Sequence, residues 1–256
     1  MPPISAVICC GESEATLEAA CQSVAWADEL VVVDSGSTDR TPEIAQRFAD
    51  RYAVAPWVDY TTSKQHACSL ASHDWVLLLD SDEECSPALA GQIRSLTDEE
   101  LAGLDLLTVP RRNHVMGRYV RAWSPDRQSR VFHRGRIRWA DDVLHDARLA
   151  DAARTRHLSG WIEHKRVGDA RFCDYFGGAR MDARLLSVAR QAYARGKRAH
   201  WWDLVVRPQV AFLKFYVLKA GFLDGTFGLL IAQKAAMSTQ LKYAALWAVQ
   251  QGVDED

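Results

Sequence analysis

The first eighty residues alternate between unbroken apolar runs and stretches whose apolar positions fall at helical spacing. Ile4 to Cys10, Leu30 to Val33 and Trp75 to Leu79 are such runs. Runs of this length suit strands buried on both faces of a parallel sheet. Between the first two, Leu17, Ala20, Cys21 and Val24 share one helical face, and Ser13 is placed to cap that helix. Thr41 is placed to cap a second helix, with Pro42 at its first position and Glu43 in its first turn. Tyr52 to Ala55 reads as a shorter strand and Ser63 to Ala71 as a helix. Ser86-Pro87 opens another helix by the same cap-then-proline logic. Strand and helix in regular alternation predict a mostly parallel α/β sheet flanked by helices.

Beyond Leu106 to Arg111, a further strand, the pattern loosens into loops and short antiparallel strands. Val143-Leu144-His145-Asp146 places two proton-transferring side chains after a short apolar step. From Phe172 the spacing turns helical, over Phe172 to Arg195, Leu204 to Leu218 and Thr226 to Val249. Gly221-Phe222-Leu223-Asp224-Gly225 separates the last two. The expected organisation is an α/β domain over 1–168 and a helical appendage over 169–256.

The polar residues that end the apolar runs carry the chemistry. Leu79 is followed by Asp80-Ser81-Asp82-Glu83, and Val33 by Asp34. In open α/β sheets, ligands sit beyond the carboxyl ends of the strands, so Asp34 and Asp80 are expected at one crevice. Hard divalent cations take oxygen ligands, and Mg²⁺ commonly bridges one or two carboxylates to phosphates. Taken alone, Asp-x-Asp equally describes a polar turn or a helix start that attracts negative charge. Neither Gly-x-Gly-x-x-Gly nor a P-loop motif is present, which removes the dinucleotide-fold and P-loop readings.

The composition, 48% hydrophobic and 25% charged, is that of a globular protein with a sizeable core. A net charge of −2 gives no global polyanion signal, so no nucleic-acid partner is expected. The charge is uneven, however. From Arg180 to Lys219, nine lysines and arginines face only Asp182 and Asp203. The six cysteines form no Cys-x-x-Cys motif and read as buried thiols of a reducing compartment. Met-Pro-Pro-Ile lacks a basic secretory start, and no apolar stretch reaches the roughly 18 residues of a spanning helix.

Val31 to Thr41, Lys64 and Asp74 to Glu84 together resemble an inverting GT-A glycosyltransferase of family 2. Val109-Pro110-Arg111-Arg112-Asn113, Val131-Phe132, Leu144-His145-Asp146 and Gly221 to Gly225 are similar to its lipopolysaccharide core β-glucosyltransferase branch. Two positions depart from that branch. Cys10-Gly11-Glu12-Ser13-Glu14 stands where members read Thr-Lys-Asn-Glu-Glu near the nucleotide base, and Asp146 stands where Glu is commoner.

The resemblance implies a metal-dependent hexosyltransferase that uses a UDP-sugar, UDP-glucose above all. Its acceptor would be a lipid-linked saccharide of the lipopolysaccharide inner core, at the cytoplasmic face of the inner membrane. It implies nucleotide-sugar contacts from Cys10, Glu12, Asp34, Lys64, Asp80 and Ser81, with Asp34 toward the base and Asp80 toward the ribose. It places Mg²⁺ or Mn²⁺ on Asp82 and makes Asp146 the base that deprotonates the acceptor. Arg127, Arg130 and Lys165 are candidates for phosphate or acceptor contact, and His164 for metal, phosphate or acceptor contact. Each has an ordinary alternative: Lys64 as a solvated helix lysine, Asp146 as a strand-end acid, His164 as a structural histidine, the others as surface charges. Glu83 and Glu84 read as caps of the following turn.

Leu204 to Leu218 mixes aromatic and aliphatic residues with Arg207, Lys214 and Lys219, after Trp201-Trp202. That mixture suits an amphipathic helix on an anionic membrane surface, or a helix packed on the catalytic domain with a basic rim. Two other functions fit the α/β pattern: an inactive or nucleotide-binding GT-A homologue, and a nucleotidyltransferase. The latter wants a basic glycine-rich loop where Cys10-Gly11-Glu12 stands.

Overall fold

A computed structural model describes residues 2–123, 126–139, 149–150, 154–165 and 179–253. It divides into two compact units, Met1–Asn113 with Pro125–Val167, and His114–Ser124 with Gly168–Asp256. His145, Asp146 and Cys173 lie outside the described residues.

The strands in chain order are β1 (Ile4–Cys10), β2 (Glu29–Asp34), β3 (Arg51–Val54), β4 (Trp75–Asp80), β5 (Glu83–Cys85) and β6 (Leu106–Val115). They continue as β7 (Arg118–Tyr119), β8 (Asp126–His133), β9 (Arg138–Trp139), β10 (Leu149–Ala150), β11 (Thr155–His157) and β12 (Ile162–His164). The main sheet runs β3-β2-β1-β4-β8-β6-β12-β5. It is parallel from β3 to β4. β8 then runs antiparallel to both β4 and β6, so the sheet becomes mixed beyond the fourth strand.

Alternation within the strands builds two apolar layers. Ile4, Ala6, Ile8, Val32, Leu77 and Leu79 share one layer with residues of α1 (Leu17–Ser23), α2 (Thr41–Phe48) and α4 (Pro87–Arg94). Val7, Val31, Val33, Val76 and Leu78 pack on the other side with Ala67 and Cys68 of α3 (Tyr60–Ser69). Covering both faces explains why these strands read as unbroken apolar runs. This is the α/β framework of GT-A type that the sequence implies, with helices at the carboxyl-terminal end.

Local capping differs in two places. α1 starts after Thr16 without a side-chain cap, because the Ser13 hydroxyl is engaged elsewhere. The Thr41 amide donates to Asp39 Oδ1 at 2.9 Å, so Asp39 closes the start of α2. Ser86 caps α4 as its spacing predicts, accepting from the Leu89 amide at 3.2 Å. A short α5 (Asp98–Ala102) follows, with a complete capping box between Thr97 and Glu100.

The second unit holds α6 (Ala179–Ala194), α7 (Trp201–Leu213), a π-helical turn (Lys214–Leu218), a 3₁₀ turn (Gly221–Asp224) and α8 (Gly225–Gln251). Gly196, at φ +82°, follows the end of α6. α7 begins three residues earlier than its apolar pattern suggests, because Asp203 accepts the His200 amide at 2.9 Å. A Cβ on Gly228 would lie 1.8 Å from the Gly221 carbonyl oxygen, so the turn closes onto α8 only with glycine there.

Candidate active site

Strand register places the two key aspartates on either side of β1. Cys9 lies opposite Asp80 of β4, and Cys10 opposite Asp34 of β2. The loops beyond these strands are stitched together. Ser13 shares a 2.8 Å hydrogen bond with Ser81, and its amide donates to Thr41 Oγ1 at 2.7 Å. Glu12, at φ +47°, accepts from the Thr38 amide at 2.9 Å, while its own amide donates to Ser37 Oγ at 2.8 Å. A Cβ on Gly11 would meet Ser35 Oγ at 2.3 Å. The unusual Cys10-Gly11-Glu12 stretch is thus fitted to its neighbouring loop: glycine makes room, and the glutamate ties the loop down.

Lys64 lies three and four residues before Ala67 and Cys68, on the face of α3 that meets the sheet. It is 1% exposed, which rules out the solvated-lysine alternative. A buried ammonium needs a counter-charge. Asp80 continues the alternation of Val76 and Leu78 toward α3, and its Oδ1 lies 2.6 Å from Lys64 Nζ. Asp80 Oδ2 accepts from Arg130 at 2.8 Å. Burial by itself would raise the Asp80 carboxyl, but Lys64 and Arg130 outweigh it and hold the group far below the usual carboxylate range.

Arg130 also donates to Glu83 Oε1 at 2.6 Å, and Arg111 reaches the same oxygen at 3.1 Å. Glu83 is fully buried and accepts the Asp80 amide at 3.1 Å. It is therefore a central part of the site and not the turn cap that its position in the acidic run suggests. Arg111 Nε donates to Asp126 at 2.9 Å, and Asn113 Nδ2 donates to the same oxygen at 3.0 Å. Asn113 Oδ1 lies 2.7 Å from His164 Nδ1, and His164 Nε2 lies 3.5 Å from Asp82 Oδ1. One continuous polar chain thus links the first aspartate of Asp80-Ser81-Asp82 to the second. Within it, Lys64, Arg130 and Arg111 balance Asp80, Glu83 and Asp126. Asp82 has no lysine or arginine partner among the described residues.

This asymmetry bears on a divalent metal. Asp126 can only accept, so it fixes the Asn113 amide with its oxygen toward His164, and His164 Nδ1 becomes the donor. In the neutral ring, Nε2 then turns a lone pair toward the Asp82 carboxylate. Two lone-pair atoms facing each other suit a shared cation. A carboxylate and an imidazole held by a further amide form an acceptable donor pair, so Asp82 and His164 fit a divalent metal. No group of three His, Cys, Asp or Glu side chains gathers around one point among the described residues.

The remaining expected residues fall as follows. Asp34 is buried and accepts from Ser37 Oγ at 2.5 Å and from Tyr52 Oη at 3.1 Å. Burial and the Asp34 carboxylate push the Tyr52 phenol up to about 12. Cys10, expected at the nucleotide, turns its side chain into the apolar core, where its thiol donates to the Val33 carbonyl at 3.6 Å. Burial raises the Cys9, Cys21 and Cys85 thiols to about 12, which makes them poor nucleophiles. Arg127 donates to the Leu158 carbonyl at 3.1 Å, outside the chain described above. Lys165 pairs with Glu84 at 2.8 Å. Residues not singled out from the sequence are Asp126 and, as site members, Glu83, Arg111 and Asn113. A signal existed for the last two, since both lie in the Val109 to Asn113 motif. A cavity of about 430 Å³ lined by Pro3, His73, Asp74 and His133 lies at the opposite, amino-terminal edge of β1 and β4.

Fold and site together define a GT-A-type α/β unit with a strand-end Asp-x-Asp. A family model described as Glycosyl transferase family 2 matches residues 5–158, more than half of the chain, and the chain belongs to that family. Among its curated relatives, it is 29% identical to the lipopolysaccharide core biosynthesis glycosyltransferase LpsC of Rhizobium meliloti (strain 1021), over 96% of this chain and 92% of LpsC. An uncharacterized glycosyltransferase of Rickettsia bellii is 42% identical over 35% of this chain and 31% of its own. Among solved structures, S. aureus TarS 1-349 superposes with a TM-score of 0.48 at 15% identity, covering 98% of this chain and 92% of that one. Glucosyl-3-phosphoglycerate synthase from Mycobacterium tuberculosis, in complex with Mn²⁺, UDP and glucosyl-3-phosphoglycerate, matches 44% of each chain with a TM-score of 0.35 at 25% identity.

Proposed function

We propose that this family 2 glycosyltransferase moves a hexose, glucose from UDP-glucose, onto a lipopolysaccharide inner-core saccharide, with inversion, at the cytoplasmic face of the inner membrane. The observation that carries the reading is the division within Asp80-Ser81-Asp82. Asp80 is neutralised by Lys64 and Arg130, whereas Asp82 faces an imidazole and, among the described residues, no lysine or arginine. Such a division separates a fixed nucleotide-side anchor from a carboxylate available to a metal. The similarity to LpsC along nearly the whole of both chains supports the acceptor class.

In this reading Asp34, with Tyr52 and Ser37 fixing its oxygens, accepts from the nucleobase. Asp80 uses its remaining lone pairs toward the ribose and holds Lys64 beside it. Asp82 and His164 would hold Mg²⁺ or Mn²⁺, which when bound would supply Lewis-acid stabilisation of the diphosphate leaving group. Asp146 takes the proton of the acceptor hydroxyl as that oxygen bonds to the anomeric carbon and the bond to the diphosphate breaks. One displacement of this kind inverts the configuration.

The test is incubation with UDP-glucose, Mn²⁺ and truncated core acceptors, read by mass spectrometry alongside other UDP-hexoses. A hexose added to the acceptor from UDP-glucose supports the reading. Transfer from a different donor corrects the sugar, and undiminished turnover in Asp82→Ala removes Asp82 from the metal.

A further inference from the structure

The helical unit leaves one broad apolar face uncovered. Along α7 and the π turn, Trp201, Val205, Val206, Val210, Leu213 and Leu218 are all exposed, Trp201 to 71% and Leu218 to 81%. Apart from the adjacent Val205 and Val206, steps of three, four and five residues place them along one side of the helix, about half its circumference wide. Past Gly221, at the turn that follows, Phe222 and Leu223 are also exposed, to 50% and 60%. Among the described residues no single helix is long and apolar enough to cross a membrane, and Trp201–Leu218 meets Gly221–Gln251 at a bend of 70°.

The rim of this face has one sign. Lys197, Arg198, Arg207 and Lys214 are exposed along it. The one acidic residue between Lys197 and Leu223 is Asp203, which is buried and paired with Arg207. A second copy of the chain docking by two-fold symmetry would bring these cations together with no exposed acid in the stretch to meet them. A layer of anionic headgroups complements them. Tryptophan at the start of the face suits the headgroup depth, where a ring can be half-buried and still reach water.

We infer that α7, the π turn and the Phe222-Leu223 tip form a docking surface that lies in the interfacial layer of an anionic lipid bilayer. This deepens the proposed function, since a lipid-linked acceptor presents its saccharide at such a surface. The surface is nevertheless measurable without donor or acceptor. Aliphatic and aromatic side chains would supply apolar burial, and the basic rim would select anionic lipid.

The test is co-sedimentation of the full chain with vesicles of phosphatidylcholine and phosphatidylglycerol, and with phosphatidylcholine alone. Light scattering, thermal melting and UDP–Mn²⁺ titration are run on the same samples. The wild type is expected to partition to mixed vesicles at least roughly tenfold more than to neutral ones. Lys197→Glu with Lys214→Glu lowers that preference by a similar factor. Val206→Glu with Leu213→Glu abolishes binding to both vesicles while melting and UDP titration stay unchanged. The inference is overturned if the wild type stays in the supernatant with mixed vesicles at low salt, or if the Val206/Leu213 double variant still binds. It is also overturned if the wild type is a dimer that this double variant dissolves without loss of vesicle binding. A wild type that binds UDP but no vesicle overturns the docking surface alone. One that binds vesicles but no UDP overturns the donor reading alone.

Discussion

In the sheet unit, Lys64, Glu83 and Arg130 are buried, and the large aliphatic side chains of β1, β2 and β4 are covered on both faces. In the helical unit, Trp201, Val205, Leu213 and Leu218 face outward, and the buried charge of α7 is a single aspartate paired with an arginine. Burying charge is costly unless every charge is matched, so a unit that does so commits its residues to fixed geometry. Exposing apolar surface leaves a unit something to bind with. The contrast teaches where to look for chemistry and where to look for contact. Positions that hold charge against desolvation belong to the site, and positions that leave hydrocarbon in water belong to an encounter.

The largest expected effect breaks the first half of that comparison. Glu83→Ala removes the acceptor shared by Arg130 and Arg111 and leaves Lys64, Arg130 and Arg111 with only Asp80 and Asp126 to balance them, one buried cation in excess. Breaking a buried ion pair in this way costs about 3–5 kcal/mol. The measurement is the urea midpoint, with the slope checked for two-state behaviour. Leu213→Glu in the helical unit is the control: its side chain is 53% exposed, so its cost stays within about 0.5 kcal/mol. Comparable losses in the two variants would erase the distinction between the units.

Next in size is the split between the two aspartates. Asp82→Asn removes a carboxylate that no lysine or arginine holds among the described residues. It is expected to leave stability within about 1 kcal/mol and to lower transfer on the order of 100-fold or more. Asp80→Asn strands the buried Lys64 ammonium and is expected to cost roughly 1–3 kcal/mol as well as activity, discounted because Asp80 is 26% exposed. Paired denaturation and Mn²⁺-dependent UDP titration separate the two. A destabilised Asp82→Asn with normal UDP binding would reverse their roles.

Much of this site was legible in the chain. The apolar runs with aspartates at their ends located the crevice, because a strand buried on both faces has one composition and its end another. What pattern alone could not show was partnership. Lys64 reads as a helix lysine until Ala67 and Cys68 are known to face the sheet. Glu83 follows two aspartates and reads as a cap of the following turn, yet the tight turn into β5 folds it back beneath Asp80. Arg111, Asn113, Asp126 and Arg130 come from strands that are neighbours only once β8 inserts between β4 and β6. Long-range pairing of this sort leaves no local period. Cys10 shows the opposite: it lies beside the crevice, but alternation turns its side chain to the core.

A smaller effect sharpens the comparison through pH. Burial alone would raise the Asp126 carboxyl, but Asn113 and Arg111 outweigh it and hold it below its ordinary range. A carboxyl depressed in the folded state adds stability above the unfolded value near pH 4 and loses it as pH falls through the folded value. Stability is therefore expected to fall as the solution is acidified below about pH 4, with a shallower slope in Asp126→Asn. Urea midpoints measured at stepped acid pH decide this. Identical slopes in the two proteins would remove Asp126 from the charge-matched chain.

The smallest effect lies on the far side of β1. Tyr52→Phe deletes one hydrogen bond to Asp34 without changing the ring, at a cost of about 1 kcal/mol. The alkaline limb carries a second reading. Desolvation and the Asp34 carboxylate raise the Tyr52 phenol to about 12. A group raised on folding contributes fully below its unfolded value, near pH 10 for tyrosine, and loses that contribution as pH rises through the folded one. Wild-type stability should therefore drop between about pH 10 and 12, and Tyr52→Phe should drop less. Because Asp34 keeps its Ser37 contacts in the variant, UDP affinity is expected to change by less than about tenfold. A larger loss would mean that Tyr52, and not the Ser37 turn, holds Asp34 in the orientation that a nucleobase needs.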